Sequence, residues 1–216
     1  VRNKPSNFKS FISNNISKGF IRGSIDLNFL ENLELSSYKL KGTLKETDVI
    51  FFNNIKIDNA NFNFIADSNL VLINEILFNF KGIPVTNGSI KIDQKDGFLI
   101  EGSLSTNIDS DTEKLSELIK LFSNSDISNK KFSVKGNFLN KFKLDLDSTL
   151  KLKDYSYNLT GSLNESKINF DEEFKSSFLK NGIKEIFFDK SSLKLNLAKK
   201  KESKIFIEGL YKLYKN

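Results

Sequence analysis

Apolar and polar residues alternate with a period of two through most of this chain, the pattern of strands with one dry face and one wet face. The clearest run sets Phe142, Leu144, Leu146, Ser148, Leu150 and Leu152 against Lys143, Asp145, Asp147, Thr149 and Lys151, and predicts one continuous strand. Shorter alternating runs cover Tyr38–Leu44, Phe62–Ala66, Ile76–Phe80, Ser89–Ile92, Phe98–Leu104, Phe132–Phe138, Ile168–Phe170, Leu193–Leu197 and Ile205–Leu213. Val49–Phe52 and Leu70–Ile73 are unbroken apolar runs of strand length. The polar breaks Asp67–Asn69, Gln94–Gly97, Asn140–Lys141 and Lys153–Asp154 have the composition of tight turns, and Lys199–Lys201 reads as another. Successive hairpins make an antiparallel meander, in which one solvated face is normal.

Three segments change to helical spacing. Residues 7–16 place Phe8, Phe11, Ile12 and Ile16 on one stripe, with Ser6 as N-cap. Residues 113–122 do the same with Leu115, Leu118, Ile119 and Phe122. Residues 171–180 begin with acids, set Phe174 and Phe178 four apart, and are followed by Asn181–Gly182, in keeping with the helix dipole and the C-cap preference.

A glycine recurs in one local phrase: IRGSI at Gly23, KLKGTL at Gly42, TNGSI at Gly88, LIEGSL at Gly102, SVKGNF at Gly136, NLTGSL at Gly161 and FIEGLY at Gly209. In all but the Gly88 phrase, the residues two before and two after are apolar, so the glycine stands in the apolar row. Glycine in a strand interior costs on the order of 1 kcal/mol in backbone entropy, and forfeits packing as well. Gly23, Gly42, Gly102, Gly136, Gly161 and Gly209 are therefore expected to let strands bend toward the apolar face or let something approach the backbone. From the residues alone, an open trough and a core filled by the protein's own helices are both consistent with that pattern.

Composition narrows the chemistry. The 216 residues include no Cys, His, Met or Trp. Thiolate chemistry and disulfides are thereby excluded, and the commonest general base and zinc ligand are missing. Phosphate-binding glycine motifs are absent, so neither an enzyme nor a cofactor is expected. Asp109, Asp111 and Glu113 have a spacing that could touch a cation, but an N-cap role fits them better. The net charge of +6 is spread over scattered lysines, mostly beside acids, with Arg only at Arg2 and Arg22. That distribution does not predict nucleic-acid binding. No apolar run is long enough for a membrane-spanning helix. A chain beginning at Val1 with no Met is expected to be a segment of a longer protein.

The stretch FISNNISKGFIRGSIDLNF, Phe11 to Phe29, resembles a phrase of the AsmA-like superfamily in which a short amphipathic helix runs into a glycine-bearing strand. The stretch GIPVTNGSIKIDQKDGFLIEGSL, Gly82 to Leu104, is similar to a hairpin phrase of the same superfamily. Its YhdP- and TamB-type members are bridge-like lipid transfer proteins. The resemblance implies a periplasmic location, with an inner-membrane anchor outside this segment. It also implies a hydrophobic β-groove that carries phospholipid acyl chains between inner and outer membranes and so maintains the outer membrane.

The expected fold is mainly β: a curved antiparallel meander forming an open, taco-like hydrophobic groove, with two or three short helices. A single AsmA-like segment is expected over residues 1–216, with strands in 20–106, 132–170 and 184–214. The predicted lipid-groove lining is Ile100, Leu104, Val134, Phe138, Leu144, Leu146, Leu150, Tyr157, Leu159, Leu163, Ile207 and Tyr211. The expected partners are phospholipid and, through parts outside this segment, the two membranes; no nucleic acid and no metal are expected. The alternative is a closed β-sandwich of the cell envelope, structural or protein-binding, without lipid cargo.

Overall fold

The computed structural model describes residues 16–51, 55–94, 97–116, 131–175, 182–199 and 202–214. They form one antiparallel sheet of eleven strands. In chain order these are β1 (Ile16–Phe29), β2 (Leu35–Phe51), β3 (Ile55–Ala66), β4 (Leu70–Phe80), β5 (Ile83–Asp93), β6 (Phe98–Asp111), β7 (Lys131–Leu146), β8 (Leu152–Leu163), β9 (Ser166–Phe174), β10 (Ile183–Ala198) and β11 (Lys204–Tyr214). The order across the sheet follows the chain from β1 to β8 and ends β10, β11, with β9 against β7 and β10. β9 is not a crossover. Ser191 pairs with Leu163 of β8 and Phe188 with Ser166 of β9, so β8 and β9 lie end to end along β10 in a single register. The expected meander is present, and every alternating run of the sequence falls in a strand except the one from Phe142 to Leu152.

That run is broken. β7 stops at Leu146 and β8 starts at Leu152. Asn140–Lys141 and Lys153–Asp154, expected as turns, lie inside β7 and β8. The cause is Asp147, whose carboxylate accepts hydrogen bonds from the Thr149 N–H at 2.8 Å, the Thr149 hydroxyl at 2.7 Å and the Lys151 N–H at 3.0 Å. Such a side chain supplies the acceptor that an adjacent strand would otherwise provide.

The helices also differ from expectation. Of the helix expected over 113–122, residues 113–116 are helical, preceded by helical Thr112, and 117–122 lie outside the described residues. The helix expected over 7–16 lies outside them too, save Ile16, which opens β1. The helix expected over 171–180 is contradicted where it is described: Asp171 to Phe174 complete β9, and Phe174 pairs with Ile183. Lys167, Ile168 and Asn169 of β9 are paired on both sides, with Asn169 opposite Lys131 and Glu185. Two-sided pairing of the residues just before them, with Phe174 paired just after, outweighs the preference of three successive acids for a helix start.

The chain divides into two compact units, one within Val1–Leu104 and Phe142–Tyr155, the other within Ser105–Lys141 and Ser156–Asn216. In the first, Leu44, Val49, Ala60, Phe64, Ala66, Ile76, Ile83 and Val85 are buried. In the second, Phe138, Leu163 and Phe188 form a cluster on which Ile108, Val134, Leu159, Ile186 and Leu193 pack.

Each unit carries a line of left-handed residues across its strands. In the first they are Gly19 on β1, Glu46 on β2, Asn59 on β3 and Glu75 on β4; in the second, Glu165 between β8 and β9, Lys190 on β10 and Gly209 on β11. At several of these points the ladder slips, as between Leu44 and Thr47 and between Asp189 and Ser192. An extra residue in one strand is a β-bulge, and it moves the following side chains to the opposite parity. On β10 the row of Ile186 and Phe188 therefore continues as Ser191 and Leu193. The two edges use the same device. Thr47 follows left-handed Glu46 and meets Gly19, while Ser191 follows left-handed Lys190 and meets Gly209. Both hydroxyl residues are 1% exposed, and each finds a main-chain carbonyl: Thr47 donates to Lys45 at 3.0 Å and Ser191 to Leu210 at 2.8 Å.

The glycines of the apolar row have a packing reason within each unit. A Cβ on Gly42 would meet the Phe64 ring, one on Gly102 the Phe142 ring, and one on Gly161 the Phe138 ring. Gly136 has the same Phe138 as a neighbour, 3.0 Å from where its Cβ would stand. A bulky aromatic laid on a glycine of the neighbouring strand recovers contact that the glycine itself cannot make.

Candidate functional site

The residues expected to line a groove separate into three groups. Phe138 (3% exposed) and Leu163 (4%) are sealed in the second unit's core. Ile100, Leu104, Leu144 and Leu146 in the first unit, and Val134, Tyr157 and Leu159 in the second, are half-buried along their strands. Ile207 (43%) and Tyr211 (63%) on β11 are exposed. Leu150 is misassigned: it stands in the Asp147 turn, left-handed at φ 64° and exposed, and so is not part of a strand row.

The rows continue to solvent at the outermost strands. On β1, Ile21 pairs with buried Leu44, Ile25 with Leu40 and Leu27 with Tyr38, yet Ile21, Ile25 and Leu27 are themselves exposed. On β11, Ile205, Ile207 and Tyr211 pair with Leu195, Leu193 and buried Phe188, and they are exposed as well. Covering one such side chain is worth about 1.5–3 kcal/mol. In both units an apolar row therefore begins in packed residues and ends in uncovered ones.

Polar side chains that the alternation did not flag sit within the second unit's inward rows. The Tyr157 hydroxyl donates to Asn140 Oδ1 at 2.7 Å, and Asn140 Nδ2 donates to Thr106 Oγ1 at 3.1 Å. Burial raises the pKa of the Tyr157 phenol, so the hydroxyl stays protonated and donating. The signal was present in the sequence: Thr106 continues the parity of Ile100 and Leu104, and Asn140 that of Val134 and Phe138.

The charged groups lie on the solvent side. Lys143 pairs with Glu101 at 3.0 Å in the first unit and Lys135 with Glu165 at 2.9 Å in the second, all four side chains being well exposed. The hydrogen bond from Lys135 lowers the Glu165 pKa, and its reciprocal raises that of Lys135. Asp111 accepts the Lys114 N–H at 3.3 Å at the start of the helical turn, the capping role expected for it. Among the described residues no group of three or more acids is placed to hold a metal ion, and no helix is long and apolar enough to cross a membrane.

Two open depressions accompany these surfaces. One, of about 650 Å³, lies around the cross-strand glycine pair Gly23 and Gly42 and the Phe64 ring. The other, of about 580 Å³, lies over Ser156, Asn158, Asn196 and Leu197. None of the residues expected to line the groove borders either one. Comparison of the chain with protein-family models, with curated proteins and with solved structures found no match.

Proposed function

We propose that this chain is a non-catalytic lipid-binding segment whose apolar strand rows take phospholipid acyl chains and pass them along an open groove, with head groups left in water. The observation that carries the reading is the exposure of Ile21, Ile25 and Leu27 on β1 and of Ile205, Ile207 and Tyr211 on β11, each beside a packed neighbour of the same row. Exposed apolar side chains in succession along one strand row call for a partner. Acyl chains match it because they need no directional bonds, and sliding transfer needs no catalytic group. The resemblance of Phe11–Phe29 and Gly82–Leu104 to AsmA-like phrases supports transfer between inner and outer membranes, in a periplasmic protein anchored outside this segment.

Native mass spectrometry of the purified chain tests the reading. Phospholipid is expected to co-purify, and Leu146→Asp in the first unit or Ile207→Asp in the second is expected to abolish uptake without loss of the strand signal in circular dichroism. A lipid-free chain that also excludes apolar dyes would refute it. A second reading, a β module whose apolar faces close without cargo, is favoured by the sealed Phe138–Leu163–Phe188 cluster, and that lipid-free outcome would support it.

A further inference from the structure

The two outermost strands are open on both faces and along one edge. Every residue of β11 is exposed, as is every residue of β1 after Ile16. Each strand pairs on one side only among the described residues, β1 with β2 and β11 with β10. A long, apolar strand with one unpaired edge is a template for another strand, and proteins usually guard such edges with charge, proline or a covering element. Here the solvent-side row of the edges is itself partly apolar, with Phe20 on β1 and Phe206 and Leu210 on β11 exposed at 71%, 55% and 68%.

We infer that the occupant of each edge is a second copy of this chain, with β11 of one molecule adding antiparallel to β1 of the next. One register suits six of the seven positions from Phe20 to Asp26, the exception being Ser24, which faces Phe206. With Arg22 opposite Glu208, Asp26 falls opposite Lys204, so two opposite-charge pairs form on the solvent side. The same register sets Phe20 against Leu210, and on the other side Gly23 against Ile207 and Ile25 against Ile205. At those six positions apolar residues meet apolar residues or glycine, and acids meet bases. The match ends before Lys18 would face Lys212, because the bulge around Gly19 breaks the β1 ladder between Lys18 and Phe20. Such a contact joins two different surfaces, so it propagates into rings or filaments and does not stop at a dimer. This pairing uses the strand edges, and it stands whether or not the apolar rows carry lipid.

The chain contains no cysteine, which makes the register directly testable. Arg22→Cys protein is mixed with Glu208→Cys protein, each in the otherwise intact chain, and oxidised mildly. Residues directly opposite on antiparallel strands stand about 4.5–5.5 Å apart at Cα, within disulfide reach. The expected result is a mixed 22–208 dimer in large excess over either symmetric dimer, and over the product from Arg22→Cys mixed with Lys212→Cys. In sedimentation, Arg22→Glu alone and Glu208→Arg alone are each expected to weaken self-association roughly tenfold, and the double variant to restore it. The inference is overturned by a chain that stays monomeric at concentrations on the order of 100 µM, by symmetric 22–22 or 208–208 products in excess, or by a double variant that fails to restore association.

Discussion

The ring of Phe142 on β7 lies across Gly102 on β6, where any side chain on residue 102 would have to stand. Gly102→Ala puts a methyl group into that ring. Overpacking of this kind typically costs about 1–3 kcal/mol. Urea unfolding is expected to show a loss in that range, with part of it recovered by adding Phe142→Leu. Gly82→Ala is the comparison. Nothing lies within 4 Å of its Cβ position, so only its φ of 82° opposes the change, at about 1 kcal/mol. Equal losses at the two sites would show that the ring gives way freely.

Phe138 fills the space above two glycines, Gly136 and Gly161, and is 3% exposed. No side chain on either glycine is available to close the gap its removal leaves. Phe138→Ala is therefore expected to cost about 3–5 kcal/mol, while Phe206→Ala, at 55% exposure, changes monomer stability by less than about 0.5 kcal/mol. Midpoints of denaturant unfolding at low protein concentration check both.

Gly209, at φ 146°, has the Ser191 main chain against it, so Gly209→Ala meets strain and a steric contact together. We expect a loss of about 2 kcal/mol or more, not relieved by Ser191→Ala, because the obstructing atom is the Ser191 Cα. Rescue by Ser191→Ala would place the obstruction in the hydroxyl instead. Thermal unfolding of the single and double variants decides between them.

Two turns are sensitive to acid. The Thr149 hydroxyl, and next the Lys151 amide, hold the Asp147 carboxyl below its usual range; the amides of Asn69 and Leu70 do the same for Asp67. The folded state prefers the charged carboxylate, so its contribution is complete above the unfolded pKa of about 3.9 and is lost as pH falls through the lower folded value. The Lys151 and Leu70 amide resonances are expected to titrate below about pH 4 and to be flat from pH 5 to 8. Asp147→Asn should abolish the acid response at Lys151 and leave that at Leu70.

Alternation made the strands legible because inner strands such as β5 carry one row that packs and one that does not, and the edge strands β1 and β11 keep the same rhythm although both their rows are exposed. It missed the β7–β8 turn because Ser148 and Thr149 keep the rhythm while the Asp147 side chain takes over the hydrogen bonding. It missed the bulges because the left-handed positions are held by Glu46, Asn59, Glu75 and Lys190, ordinary surface residues that carry no glycine to mark them. For the candidate residues, the alternation gave a strand position and a face. Ile100, Leu104, Val134 and Leu159 stay within strands and are half-buried, whereas Leu150 falls in the hidden turn. The Tyr157–Asn140–Thr106 chain shows that parity assigns a side to a residue and leaves its chemistry open.

Because β8 and β9 together occupy one lane, each lane of the sheet is bonded, among the described residues, only to the lanes that immediately precede and follow it along the polypeptide. Nothing has to be threaded past anything else. A gene encoding such a protein can gain or lose a pair of strands by simple duplication or deletion without disturbing the others, so the width of the sheet can change in small steps.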